Sequence, residues 1–292
     1  MINIEKIKNS KTTEELLEFG IINIDKSSGP TSFGVSNFIK KKLNARKTSH
    51  FGTLDPKVTG VLPVAINRAC KLAGFFLGED KEYIGIAQFH EEISKEKIEK
   101  KIKEKFLGEI IQLPPIKSRV KRQERPRTIY TFEILEKEGK NFLFKTKCQG
   151  GTYVRKLISD LGDELGISAH MLELRRISAG IFSEEKIYNL YDFEKAVDQY
   201  KNGNDKSLRE MLIPGEIVSE LFPLVKIVPG SLKKIYHGSP IHDDELENKK
   251  DKSLEKDKII CVFSKDQFVG IFKIIKQGNL FARSEFTLQP IG

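Results

Sequence analysis

One loop decides how this sequence is interpreted. The stretch His50–Pro63 reads HFGTLDPKVTGVLP and carries a single carboxylate, Asp55, in glycine-flanked surroundings. Pro56 restricts Asp55 to extended backbone geometry, and glycine next to such a residue lets a ligand approach closely. Two interpretations follow, an aspartate that caps a turn and a catalytic carboxylate. The residues by themselves favour the turn, because aspartate is common in loops for that reason.

The segments around this loop predict alternating strands and helices. Gly20–Lys26 predicts a strand, and Thr31 or Ser32 is suited to cap a following helix. The other predicted elements are a buried helix over Val61–Leu77, helices over Glu91–Lys105 and Gly151–Gly166, and strands over Glu82–Phe89, Thr128–Leu135, Phe142–Cys148 and Met171–Ser178. Because hairpins recur without a regular βαβ rhythm, the sequence predicts an α+β fold, with a mixed, largely antiparallel sheet flanked by helices.

The C-terminal part has a different character. From about Leu224, short runs of Val, Ile and Phe alternate with Gly, Pro and charged residues, which predicts a small all-β domain. Its expected strands are Ile259–Phe263, Phe268–Ile275 and Leu280–Phe286. The charged insert Asp243–Lys258 predicts a solvated, mobile loop. The expected domains are residues 20–222 and 223–292, with residues 1–19 packing on the second.

Charge and composition narrow the class of function. The formal net charge is +9, which is typical of a protein that binds a polyanion, although lysine enrichment of an ordinary surface gives the same number. No apolar run reaches the ~20 residues of a membrane span, so a membrane role would be confined to a basic surface. Cys70, Cys148 and Cys261 are odd in number and far apart, which predicts a reduced, cytoplasmic compartment. The five histidines lack metal-ligand spacing, so no metal site is expected.

The loop resembles the active-site motif of the TruB family of pseudouridine synthases, whose signature is GTLDP-x-x-TG-x-LP. Further blocks resemble that family in order along the chain: Asp25–Ser32, Lys81–Tyr83, Leu113–Arg122, Gly151–Arg155 and Ala169–Arg176. The wording of several blocks is similar to the archaeal and eukaryotic branch that includes dyskerin. The tail, notably His237–Pro240 and Gln267–Ile271, resembles a PUA domain, the small RNA-binding β module of that branch.

The resemblance implies roles residue by residue. Asp55 corresponds to the nucleophile, Arg155 to its ion-pair partner, and Tyr83 to the residue that stacks on the base and takes part in proton transfer. His50 corresponds to a residue that extrudes the target nucleotide, and Lys26 to an electrostatic or structural support of the pocket. The other substrate-binding positions are Tyr153, the pocket wall Leu174, and Lys121 and Arg122 in a basic loop with Lys117, Arg119, Arg125 and Arg127.

Without the resemblance, these residues have ordinary structural interpretations. Tyr83 would be a strand tyrosine in the core, and Arg155 an arginine on a helix surface. Phe51 departs from the family pattern, in which small residues commonly flank the histidine, and its ring is expected to change how the loop packs.

The implied function is the isomerisation of uridine to pseudouridine. This reaction involves no redox step and no hydrolysis, so the resemblance implies neither cofactor nor metal. It further implies the catalytic subunit of an H/ACA ribonucleoprotein, in which guide RNA selects an rRNA uridine and small protein subunits assist. A stand-alone synthase for the T-loop uridine of tRNA (position 55) is the alternative, and an RNA scaffold without activity is the non-enzymatic one.

Overall fold

The structure is a computed structural model that describes residues 2–114 and 121–290. The chain forms two compact bodies. The larger body is Ile21–Met211, and the smaller body combines the residues up to Gly20 with those from Leu212 onward. The larger body therefore ends at Met211. The sequence analysis placed the end of the first domain at residue 222. No described helix combines the length and apolar character needed to cross a membrane.

The helices and strands alternate along the chain as an α+β fold requires. The helices are α1 (Ile4–Ser10), α2 (Thr13–Glu18), α3 (Ser32–Leu43), α4 (Ala73–Leu77), α5 (Lys95–Lys105), α6 (Val154–Glu164), α7 (Leu190–Lys201), α8 (Lys206–Met211) and α9 (Leu232–Tyr236). The strands are β1 (Phe19–Lys26), β2 (Thr48–His50), β3 (Thr59–Asn67), β4 (Lys81–Phe89), β5 (Gly108–Gln112), β6 (Arg125–Glu138), β7 (Asn141–Cys148), β8 (Ala169–Ala179), β9 (Phe182–Ser183), β10 (Leu212–Pro214), β11 (Leu224–Lys226), β12 (Ile241–His242), β13 (Ile259–Ser264), β14 (Gln267–Gln277) and β15 (Leu280–Thr287).

The larger body is built on a mixed sheet. Its strands follow the order β1-β3-β8-β4-β7-β6-β5, with β2 paired to β3 and β9 to β8. The pairs β4–β8, β4–β7, β6–β7 and β5–β6 are antiparallel, whereas β3 and β8 run parallel. The predicted mixed, largely antiparallel sheet is therefore confirmed. At its centre β8 lies between β3 and β4, although β8 is far from both in the sequence.

The local predictions hold at most elements. Thr31 caps α3 by accepting a hydrogen bond from the Gly34 amide, and Val35 and Ile39 are buried on one face of the helix. The predicted strands Thr128–Leu135 and Phe142–Cys148 correspond to β6 and β7, which form a hairpin with Glu138 paired to Asn141 across its turn. Burial alternates along β4 and β7, which is why apolar and polar residues alternate in their sequences as expected of strands.

The prediction of a helix over Val61–Leu77 is wrong. The first part of this segment is β3, and only Ala73–Leu77 forms an α-helix, α4. β3 is buried at nearly every position, so it shows no alternation that would distinguish it from a buried helix. Pro63 is the signal that was overlooked, since a proline removes a hydrogen bond from a helix interior. The Asp55 loop therefore leads from strand β2 into strand β3, and not into a helix.

The smaller body carries a five-stranded sheet. Its strand order is β11-β13-β14-β15-β12, with β11 parallel to β13 and the other pairs antiparallel. The three strands predicted near the C-terminus correspond to β13, β14 and β15. Their apolar faces enclose a core that includes Val225, Ile260, Phe272 and Phe281.

The charged insert Asp243–Lys258 is not the wholly solvated loop that was expected. Two short 3₁₀ turns cover Asp243–Glu245 and Lys249–Ser253, and Leu246 is buried in the core of the smaller body. Glu245 is also buried, where it accepts a hydrogen bond from the His242 amide and pairs with Lys234. Charge alone was a poor guide here, because a buried carboxylate can be compensated by bonded partners.

Gly60 fixes the place where β3 joins β8. Gly60 pairs with Arg176 across the parallel strands, and its φ of 98° lies in the left-handed region. A Cβ at this position would lie 2.2 Å from the Arg176 carbonyl oxygen. Both the backbone conformation and the close approach therefore require glycine.

Gly60→Ala is expected to destabilise the protein by about 1–3 kcal/mol, since a strained φ and a backbone clash add together. Urea unfolding measures the change. Gly74→Ala is the matched control, because an added Cβ there meets nothing within 4 Å and alanine favours the helical conformation. Equal stability of the two variants would contradict the strand junction described above.

Candidate active site

The Asp55 loop is anchored to the first residue of α3 and to the turn before it. The Ser32 hydroxyl accepts a hydrogen bond from the Leu54 amide at 2.8 Å and donates to the Leu54 carbonyl at 2.9 Å. The Gly29 amide donates to the Pro56 carbonyl at 2.9 Å. Leu54 is buried whereas Asp55 is exposed, so the anchored backbone presents the carboxylate outward.

Lys26, at the end of β1, lies beneath the same loop. Its side chain is fully buried, and Nζ donates to the carbonyl oxygens of Ser27, Pro56 and Val58 at 2.9, 2.9 and 2.7 Å. Those three bonds use all three donors of an ammonium group. Burial lowers the pKa of Lys26, and the negative charge of Asp55 opposes that effect. Lys26 thus supports the loop and offers no exposed surface for direct contact with a substrate.

Arg155 pairs with Asp55, the partner that the family resemblance implies for it. Its Nη2 lies 2.7 Å from Asp55 Oδ2. Arg155 is the second residue of α6, whose N-cap is Tyr153. About half of each side chain is exposed, at 55% and 49%, so the pair contributes at most about 1 kcal/mol to stability. Its consequence is orientation of the carboxylate rather than stabilisation of the fold.

Tyr83 and Leu174 lie side by side in the sheet centre. Tyr83 on β4 pairs with Arg176 on β8, and Gly85 pairs with Leu174. Because residues two apart on a strand share a face, Tyr83, Leu174 and Arg176 point to the same side of the sheet. Both Tyr83 and Leu174 are buried, at 8% and 7% exposure. Leu174 is therefore placed as an apolar wall next to the tyrosine.

Arg176 was not predicted as a site residue, although the family motif contains it. It is 1% exposed, and its Nε and Nη2 donate to the carbonyls of Val61 at 2.7 Å and Gly52 at 3.0 Å. The neighbouring Arg175 instead pairs with two carboxylates, those of Asp25 and Glu184. The Arg-Arg pair in a strand was the available signal, because alternation directs one of the two side chains inward.

His50 lies at the end of β2, beside the loop. Its Nε2 is 3.2 Å from the Thr53 hydroxyl, and the side chain is partly exposed. Burial lowers the pKa of His50, and the positive charge of Arg176 acts in the same direction, so both favour the neutral imidazole. Phe51 is buried at 1% exposure and stacks on Phe76 with ring centroids 4.7 Å apart. The unusual aromatic residue of this loop thus packs into the core below it.

The remaining predicted residues lie at the margin of this arrangement. The backbone of Tyr153 is held by the Gln112 side chain, through bonds of 3.0 and 3.3 Å, which fixes the start of the helix that carries Arg155. Lys121 and Arg122 are exposed, in the segment that leads into β6. Lys117 and Arg119 lie outside the described residues. The structure thus places Arg155 in contact with Asp55 and Tyr83 opposite Arg176, and the charge of Asp55 acts on Tyr83.

Comparison with known families identifies the chain over most of the larger body. Residues 40–154 match the profile described as TruB family pseudouridylate synthase (N terminal domain). Residues 155–219 match the profile described as tRNA pseudouridylate synthase B C-terminal domain.

Curated relatives carry a consistent description. A protein of Methanothermobacter thermautotrophicus described as probable tRNA pseudouridine synthase B is 39% identical over 88% of this chain and 80% of its own length. A protein of Methanocaldococcus jannaschii with the same description is 44% identical over 78% of this chain and 68% of its own length.

Two solved structures are similar across nearly the whole chain. One is titled as a Cbf5-Nop10-Gar1 complex, at 35% identity and a TM-score of 0.88 over 97% of this chain and 89% of that one. The other is titled as an H/ACA RNP bound to a substrate RNA containing 2′-deoxyuridine, at 33% identity and a TM-score of 0.86 over the same shares. The chain therefore belongs to the TruB family of pseudouridine synthases, enzymes that isomerise uridine to pseudouridine.

Proposed function

We propose that this enzyme is the catalytic subunit of an H/ACA ribonucleoprotein, in which a guide RNA selects the target uridine in rRNA. The observation that carries the proposal is the similarity to Cbf5 over 97% of the chain, which includes the smaller body as well as the larger one. We further propose that small protein subunits assist it, because the similar chains are found in complexes with Nop10 and Gar1.

The proposal assigns the smaller body from residue 223 as a PUA domain that holds guide RNA. Its five-stranded sheet and the HGSP segment after α9 support this assignment. The net charge of +9 suits an enzyme with a polyanionic partner. We also place the enzyme in the cytoplasm, because its three cysteines are unpaired thiols buried in the fold.

A second function, modification of the T-loop uridine of tRNA without a guide, is supported by the descriptions of the curated relatives. Both functions use the same chemistry. They differ in what positions the uridine, which is a guide RNA in one case and the shape of the tRNA in the other. The two are compatible in one protein.

For the chemistry we propose Asp55 as the nucleophile. Its carboxylate is exposed, and Arg155 holds one oxygen while the side chain remains open to a substrate. Tyr83 and Leu174 form the surface against which the flipped base stacks, and His50 helps to extrude the nucleotide. Flipping costs a few kcal/mol, which contacts to the extruded base offset. The proposal requires no cofactor and no metal, since the reaction is an isomerisation.

Asp55→Asn is expected to lower the single-turnover rate of pseudouridine formation by at least about 1000-fold, because the amide is a far weaker nucleophile. The unfolding free energy should change by less than about 1 kcal/mol, given the half-exposed ion pair. Asp163→Asn, an exposed position on α6, is the matched control and should retain the wild-type rate. A fully active Asp55→Asn enzyme would contradict the assignment.

Guide dependence is tested by changing the pairing sequence of the guide. The reconstituted particle is expected to move pseudouridine to the newly paired rRNA position, and the Asp55→Asn particle should form none. In parallel, the chain without guide is given unmodified tRNA. Two results together would favour the second function over the first: the chain modifies the T-loop uridine of tRNA, and the position of pseudouridine in rRNA does not follow the changed guide.

A further inference from the structure

Arg176 is a buried cation without an acidic partner. The residue is 1% exposed, and its guanidinium donates to the carbonyls of Val61 and Gly52. Tyr83 lies directly opposite it across β4 and β8, and the two side chains interact. Within the described part of the chain, no aspartate or glutamate bonds to it. A buried charge is normally paired, because transfer out of water costs several kcal/mol per ion. An unpaired one therefore calls for a functional explanation.

The bonds of Arg176 connect the two halves of the proposed site. Gly52 and Val61 lie on either side of Asp55 along the chain, whereas Tyr83 lies on β4, the strand next to β8. A Cβ at Gly52 would come within 3.1 Å of Arg176 Nη1, so the loop approaches the guanidinium as closely as a glycine allows. Arg176 thus sets the position of Tyr83 relative to the loop that presents Asp55.

The charged and titratable groups around this pair leave Arg176 as the dominant cation. Burial, reinforced by the Arg176 charge, lowers the pKa of Lys81 to about 8 and also lowers the pKa of His50. Burial raises the pKa of Cys148 to about 12, so the thiol next to Tyr83 stays neutral. Asp55 is the remaining anion that acts on Tyr83.

Tyr83 therefore experiences opposing influences. Burial raises the pKa of its phenol, and the Arg176 charge and hydrogen bond act to lower it. The Asp55 charge acts together with burial. Without Arg176, ionisation of a phenol buried to this degree would be more costly still.

We propose that Arg176 is a positioning residue for the isomerisation. It holds the Tyr83 hydroxyl in place, and its positive charge stabilises the tyrosinate that removes the proton from C5 of the uracil. This inference rests on the role proposed above for Tyr83. Once C5 is joined to C1′, the tyrosinate takes the C5 proton and becomes a phenol. The electron pair of the C5–H bond re-forms the C5=C6 bond, and the pair of the C6=N1 double bond moves to N1. N1 then takes a proton from water, and the Tyr83 phenol returns a proton to the hydroxide that remains, so the base is isomerised without any net change in atoms or electrons.

The direct test follows the ionisation of Tyr83 by NMR of the RNA-free protein, with tyrosine labelled at the ring carbon that bears the hydroxyl. The Tyr83 signal is identified by its absence in Tyr83→Phe. In Arg176→Met the pKa of Tyr83 is expected to rise by at least about one pH unit, because the cation is lost. In Arg176→Lys, which retains the charge, the pKa should stay closer to the wild-type value.

The matched control is Arg175→Met. Arg175 precedes Arg176 on the same strand but is partly exposed and paired with Asp25 and Glu184. Its loss should leave the pKa of Tyr83 within about 0.3 units of wild type, since its charge is already compensated. The NMR signal reports Tyr83 itself, whereas a rate profile also contains the titration of Lys81.

Kinetics provide the second readout. Arg176→Met should lower the single-turnover rate at pH 7 by at least about 10-fold, with recovery as the pH rises and with RNA affinity unchanged within about 3-fold. An unchanged pKa of Tyr83 in Arg176→Met would overturn the proposal. Loss of the folded state in both Arg176→Met and Arg176→Lys would also overturn it, by assigning Arg176 a purely structural role. Because the NMR needs no RNA, failure of the proposed function would not alter its result.

Discussion

Two buried cations, Lys26 and Arg176, hold the loop that presents Asp55, and both bind backbone carbonyls rather than carboxylates. Lys26 bonds to Ser27, Pro56 and Val58, and Arg176 bonds to Gly52 and Val61. A carbonyl partner leaves the net positive charge in place, whereas a carboxylate would cancel it. These bonds fix the shape of the loop, and the two cations make the protein interior below Asp55 electropositive. Such an arrangement suits a reaction in which negative charge develops on the substrate, because the nearby positive charges stabilise it.

Catalysis and recognition are separated in this arrangement. Asp55 and Arg155 are each about half exposed, so an extruded nucleotide can reach them from solvent. Tyr83, Leu174 and Arg176 are buried on one face of the sheet, where β4 and β8 fix their spacing. A rigid sheet is a better support for such a constellation than a loop, because packing restricts its side chains to one position. RNA recognition can then change without disturbing the chemistry, which is consistent with one family serving guide-directed and tRNA-directed substrates.

The sequence predicted the fold class and most elements because their patterns were local. The caps, the hairpin and the alternating burial of β4 are all readable from neighbouring residues. β3 was misinterpreted because a strand buried on both faces has the same apolar run as a buried helix, and Pro63 was the local signal against the helix. Asp55 and Arg155 were found through the family motif, and the structure places them in contact.

The burial of Lys26 and Arg176 could not be predicted from such local patterns. Lysine and arginine are expected at the surface whatever their neighbours in the sequence are. Their burial here depends on carbonyl groups supplied by segments far away in the chain. Arg175 and Arg176 illustrate the difficulty. Strand alternation requires the two side chains to face opposite ways, but it does not indicate which one enters the core.

Hydrogen exchange of the RNA-free enzyme tests the central claim, that the Asp55 loop is held in its active shape by the protein alone. The informative amides are those of Phe51, Leu54 and Val58, which donate to the Pro63 carbonyl, the Ser32 hydroxyl and the Asp55 carbonyl. They are expected to exchange slowly, at rates similar to those of β3, and to change little when RNA binds. Rapid exchange in the free enzyme, followed by protection only in the RNA complex, would show that the substrate orders the loop and would contradict this account.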